Sequence, residues 1–240
     1  MNISINDYRM MYAQREVGRQ SRIKALNLPV YTFNEELINC VTHALGALLG
    51  LVGWVMSMKL LVPAGNLAAT FSMCVFFVTC IVLYANSALY HGWELTRTKK
   101  KFQIMDHCSI FLLITGTYAP YTLMVMNNLA GRIIFAIVAL TSVMGVALNV
   151  IDMKKYARIS MACYLITGWC IIFAYKDIAA ALSHGQLLML IGGGVSYTVG
   201  AVFYGLGDHI RYMHSVWHLF VLGGTLLHFA SLYRFILYSL

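Results

Sequence analysis

Charge is what this chain has least of. Asp, Glu, Lys and Arg together make up 11% of its 240 residues, where a soluble domain carries roughly 25%. Hydrophobic residues reach 60% and mean hydropathy is +0.72, so lipid must be the main solvent. A short apolar core followed by a small-residue cleavage site is missing from the first 34 residues, which excludes a signal peptide there. No CxxC pair occurs among Cys40, Cys74, Cys80, Cys108, Cys163 and Cys170. Neither a disulfide framework nor a thiolate zinc site is therefore indicated, and the cysteines read as small buried hydrophobes. Internal repeats are absent too, and no stretch is long and polar enough for a separate soluble domain.

Seven apolar stretches can each cross ~30 Å of hydrocarbon. They lie near 39–61, 67–90, 104–126, 133–151, 159–181, 187–206 and 214–238. The fold class is thus all-α, a seven-transmembrane helix bundle over residues 35–240, preceded by a basic arm over 1–34. The fifth stretch is the weakest, because Lys176 and Asp177 stand near its end. Two forms are open to the arm: an amphipathic helix on anionic headgroups, or a disordered basic tail.

Lysine and arginine placement sets the orientation. With the N-terminus cytoplasmic, the inner side receives the arm's five, then Arg97, Lys99, Lys100, Lys101, Lys154, Lys155, Arg158 and Arg211. Only Lys59, Arg132, Lys176 and Arg234 fall outside, so the inner side holds thirteen of seventeen. An odd number of spans puts the C-terminus outside. The net charge of +8 then reflects topology, and no nucleic-acid surface is needed to explain it.

Orientation gathers scattered polar residues into one layer near the cytoplasmic interface. Ser87 and His91 end span 2, Asp106 and His107 begin span 3, and His214 and His218 begin span 7. Glu36, Asn39 and His43 begin span 1. Ionisable groups at membrane depth are costly and point to a functional site. His214 and His218 are four apart, hence on one helix face. With His91 they can offer three nitrogens to Zn2+ and leave a fourth position for water. Asp106 can serve that water as a base, and Ser87 can donate to an oxyanion or to Asp106. From spacing alone, buried histidines hydrogen-bonded within the bundle remain an equal reading.

The secondary polar residues have plainer readings. Glu36, Asn39 and His43 share a face, and fit capping and packing of span 1 as well as substrate contact. His107 is turned ~100° from Asp106 and reads as structural. His209 sits beside Asp208 in a loop and reads as solvated. His228, ten residues past His218, reads as a hydrogen-bonded core histidine that can also line a cavity. Glycines in spans 6 and 7 favour close helix approach, with a hinge or lipid entry gap as the alternative. Pro120 can kink span 3 beyond Asp106.

Together these residues carry a resemblance. Glu36-x2-Asn39-x3-His43, Ser87-x3-His91, the run from Met105 to Phe111 followed by Gly116-Thr117-Tyr118-Ala119-Pro120, and His214-Ser215-Val216-Trp217-His218-Leu219-Phe220 occur in order. This set resembles the bacterial hemolysin III family, which belongs with the progestin and adipoQ receptors and, more distantly, the alkaline ceramidases. The resemblance spans about 31–235. It implies a seven-helix inner-membrane protein with zinc near the inner leaflet at His91, His214 and His218, and Ser87 and Asp106 as the accompanying polar pair. The ceramidases' amino-terminal calcium cluster is unmatched beyond Glu36 and Asn39, so no calcium site is carried over.

Three functions stand open on this reading. One is a zinc-dependent hydrolase of a lipid amide or ester, related to the ceramide-cleaving members. Another is a membrane-homeostasis sensor or receptor whose zinc is structural. The last is a cytolysin, as the family name suggests, though an integral bundle without a secretion signal is poorly equipped to lyse other cells. Membrane lipids and a lipid-like substrate or ligand are the expected partners.

Overall fold

The computed structural model describes residues 5–207 and 209–239, so Asp208 lies outside the described residues. The arm forms α1 (Ile5–Leu26). Polar and basic residues make up much of this helix. Its attachment to the bundle is local: Ile23 is buried with Leu28 and Tyr90.

Seven long apolar helices follow, each long enough to cross a membrane. They comprise α2 (Phe33–Leu61), α3 (Leu67–Gly92), α4 (Arg97–Ala119) with its continuation Pro120–Met126, and α5 (Leu129–Asp152). Then come the pair α6 (Ala157–Gly168) and α7 (Tyr175–Ala181), α8 (His184–Leu206) and α9 (Met213–Ser239). Each span packs on the next, and α2 packs on α9, which closes the bundle.

Several helices begin earlier than hydropathy indicates, because polar residues start them. Thr32 and Glu35 form a capping box ahead of α2, and Ser183 and Gln186 form one ahead of α8. Each box satisfies two backbone N–H groups that would otherwise lack partners. Asn66 and Asn128 cap α3 and α5 through Ala69 N and Gly131 N. The capping role expected near Glu36 thus belongs to its neighbour Glu35.

Two spans are irregular. Pro120 brings no N–H, and from there the chain widens into a π-helical segment, Pro120–Met126, that ends at Asn127 with φ 43°. The fifth span is broken: α6 stops at Gly168, a 3-10 turn covers Cys170–Ala174, and α7 resumes the direction. Asp177 there accepts a hydrogen bond from Asn128 Nδ2 at 3.1 Å.

Polarity is distributed inside out. Phe173 is 89% exposed and Ile151 72%, whereas Asn39, Ser87 and His218 are fully buried. Large apolar side chains on the outside and polar groups kept within an otherwise apolar core are what a lipid solvent selects. Close contact between α8 and α9 depends on Gly193, where an added Cβ would stand 2.1 Å from His228 Cδ2.

Candidate metal centre

Three helices meet at the end of the bundle that carries α1. The last turns of α3 present Ser87 and His91, the third turn of α4 presents Asp106, and the first two turns of α9 present His214 and His218. Every one of these side chains is buried. The histidines come within reach of one another: Nε2 of His214 and His218 are 3.2 Å apart, and one ligand nitrogen from each of His91, His214 and His218 fits within 4.8 Å of the others.

Three rings so placed offer nitrogens that a single cation could share. His91 Nε2 is buried and has no hydrogen-bond partner among the described residues, an arrangement that is expensive in a bundle core. Two nitrogens bound tetrahedrally to zinc at ~2.05 Å are separated by roughly 3.3 Å, close to the 3.2 Å observed for the α9 pair. The buried His91, His214 and His218 triad could hold a metal ion.

Helix α2 supplies the surrounding layer. His91 Nδ1 donates to Glu36 Oε2 at 2.7 Å, which turns its Nε2 toward the other two rings. A carboxylate behind a histidine ligand fixes its tautomer and raises its basicity. The second oxygen of Glu36 pairs with Lys99 Nζ at 3.0 Å. Lys99, only 2% exposed, also donates to the carbonyls of Tyr90 and His91 at 2.6 and 3.2 Å, satisfying the end of α3. Asn39 Oδ1 accepts from Ser215 Oγ at 2.6 Å, tying α2 to α9. His43 stacks on His218 with ring centres 3.6 Å apart. Tyr31 covers the cluster, its ring 5.6 Å from His91 and 5.0 Å from His214.

Asp106 and Ser87 are neighbours. The Ser87 hydroxyl lies against the Asp106 carboxylate, without a hydrogen bond of ordinary geometry. Asp106 and His214 both line a cavity of about 440 Å3 that extends to Thr117 and His228. His107 is held by Gln103 O at 3.0 Å and the Tyr204 hydroxyl at 3.1 Å, and His209 is exposed. His228 Nε2 donates to Leu190 O at 3.0 Å, and its other nitrogen is without a partner among the described residues.

The roles of Glu36, Lys99 and Tyr31 escape a reading by sequence alone. Glu36 stood out as polar on an apolar face, but nothing in its spacing pairs it with His91. Lys99 looks like one more member of a basic run.

A seven-span membrane protein with a buried three-histidine cluster is therefore the class that fold and site define. Residues 31–229 match the model of the family described as Haemolysin-III related, and the chain belongs to that family. It is 32% identical over 203 residues to Hemolysin-3 of Bacillus cereus, covering 85% of this chain and 92% of that protein. The Hemolysin-3 homolog of Bacillus subtilis (strain 168) is 33% identical, over 82% and 92% of the respective chains. The monocyte to macrophage differentiation factor of Homo sapiens is 24% identical, over 85% and 86%.

Proposed function

We propose that this chain is a zinc-dependent hydrolase of a lipid amide or ester, working at the inner leaflet of the cell membrane. The observation that carries the proposal is the unpartnered His91 Nε2, held facing the His214 and His218 pair. The lysine and arginine bias supports a cytoplasmic N-terminus and an outside C-terminus, which would put the histidines near the inner headgroups of a bacterial inner membrane.

His91, His214 and His218 would hold the zinc, with Glu36 fixing His91. Zinc, when bound, supplies a Lewis acid and brings the pKa of a coordinated water down towards ~7. The Asp106 carboxylate would orient and deprotonate the attacking water and return the proton to the leaving group. Ser87 Oγ, beside that carboxylate, would hydrogen-bond to the carbonyl oxygen as it gains charge. The apolar cavity beyond Asp106 would take the acyl chain and exclude bulk water.

Elemental analysis of the detergent-purified protein should give one equivalent of zinc, and far less in His218→Ala. Offered a lipid mixture, the purified protein should release free fatty acid, and a chelator should stop the release. If no lipid is cleaved and the chelator only lowers thermal stability, the zinc is structural and the sensor reading replaces this one. The cytolysin reading finds no support in the buried polar site.

A further inference from the structure

The cavity that takes in Asp106 and His214 also has a cationic end. Lys100 and Lys154 line it, together with Asn27. They come from different helices, Lys100 from the start of α4 and Lys154 from just beyond α5, and both converge on one residue. Lys100 Nζ donates to Asn27 O at 3.2 Å and to Gln103 Oε1 at 2.8 Å. Lys154 Nζ donates to Asn27 Oδ1 at 3.0 Å. Asn27 and Lys154 are exposed and Lys100 is half-buried, so this is the open end of the cavity.

The oxygens that these ammoniums hold are all neutral. The two charges are close enough to repel each other, and Asp152 nearby, one carboxylate against two ammoniums, offsets them only in part; its Oδ1 accepts from the Lys155 N–H at 3.0 Å. Asn27 presents its carbonyl and amide oxygens from a left-handed backbone, φ 50°. An anion with several oxygens would satisfy both lysines at once, and charge-assisted hydrogen bonds are roughly twice as strong as neutral ones.

Distance along α4 identifies the ligand. Lys100 precedes Asp106 by about 9 Å, and Thr117 lies about 16 Å beyond Asp106, at 1.5 Å per residue. The intervening walls include Ile110, Leu113, Leu165 and Val221. A molecule spanning this cavity has an anionic group at one end, a polar linkage some 9 Å away, and an aliphatic chain after it. From this we infer that Lys100 and Lys154 form a headgroup subsite for a phosphate-bearing acyl lipid, and that the ligand's phosphate replaces the oxygens of Asn27. The inference rests on the hydrolase reading only for the alignment of the acyl linkage with Asp106.

The test is a binding measurement on the full chain in a nonionic detergent, followed by thermal unfolding. The probes are lysophosphatidic acid, the monoacylglycerol of the same chain length, and glycerol 3-phosphate. The wild type should bind lysophosphatidic acid about tenfold more tightly than monoacylglycerol, as expected for hydrogen bonds to a charged group. Glycerol 3-phosphate alone should give no stabilisation. Lys100→Gln with Lys154→Gln should bring the two lipids to equal affinity and leave monoacylglycerol binding unchanged, while Lys100→Arg with Lys154→Arg keeps the preference. Lys101→Gln with Lys155→Gln, which neutralises adjacent lysines, should change nothing.

Equal affinity in the wild type overturns the subsite. So does a preference that survives the double glutamine variant, or one lost equally in the Lys101 and Lys155 control. Glycerol 3-phosphate binding as tightly as the lipid would also overturn it, making the site one for free anions. A zinc-replete protein that keeps the preference but cleaves no acyl lipid would defeat the hydrolase reading and leave the subsite standing.

Discussion

Glu36 binds His91 with one oxygen, Oε2 to Nδ1 at 2.7 Å, and Lys99 with the other, Oε1 to Nζ at 3.0 Å. One carboxylate on α2 thus couples the orientation of a metal-ligand candidate on α3 to a buried lysine on α4. That lysine in turn closes the end of α3 through the Tyr90 and His91 carbonyls. Ligand geometry and helix termination are consequently parts of one network, and damage to either should appear in both.

Glu36→Gln keeps the size of the side chain and removes its charge. A neutral carboxamide oxygen accepts from His91 Nδ1–H more weakly than the carboxylate and no longer pairs with Lys99, so zinc affinity should fall 10–100-fold, as for other changes behind a histidine ligand. Competition with a calibrated chelator measures this directly. Unchanged affinity would show that Glu36 serves Lys99 alone.

Lys99→Met leaves Glu36 and two carbonyls at the end of α3 without their cation. Removing one partner of a buried pair costs about 3–5 kcal/mol. Unfolding in detergent should therefore occur at clearly lower temperature, with metal affinity reduced as well. Lys101→Met, from the same basic run but exposed, should leave both quantities unchanged.

Those two lysines show how far the sequence could be read. Hydropathy located all seven spans, because crossing lipid demands long apolar runs whatever the packing. His214 and His218 were legible as a pair because a helix enforces their common face, and depth brought His91 and Asp106 to the same level. Burial of Lys99 and exposure of Lys101 arise from which face of α4 meets α3, a tertiary fact that a run of like residues conceals. The union of Glu36 with His91 was hidden for the same reason: closure of α2 on α9 and α3 is not written in any local pattern. Helix starts were a different case. The Thr32–Glu35 and Ser183–Gln186 boxes are local signatures, but apolar content alone passes over them. The break in the fifth span had only Lys176 and Asp177 as a warning.

Asp106→Asn separates chemistry from metal binding. The carboxamide fills the same buried space beside Ser87 but cannot accept a proton. Zinc content should stay at one equivalent while acyl-lipid cleavage drops by about 10²–10⁴-fold, the usual contribution of a positioned base. Activity within a few fold of wild type would remove Asp106 from the proposed reaction.

Packing between α8 and α9 gives a test independent of metal. An alanine at Gly193 would bring its Cβ to 2.1 Å from His228 Cδ2 and 2.3 Å from Nε2. The imidazole has little freedom to retreat, since Nε2 is bonded to Leu190 O and the ring packs edge-on against Tyr121 and Tyr197. Gly193→Ala should destabilise the bundle by about 1–3 kcal/mol, the range for overpacked cores. His228→Ala removes the obstructing ring, so the double variant should be less destabilised than the two single effects added together. Thermal unfolding of all four proteins gives the coupling. If the effects simply add, α8 and α9 do not depend on this contact, and the close approach of the two helices must be held elsewhere along their length.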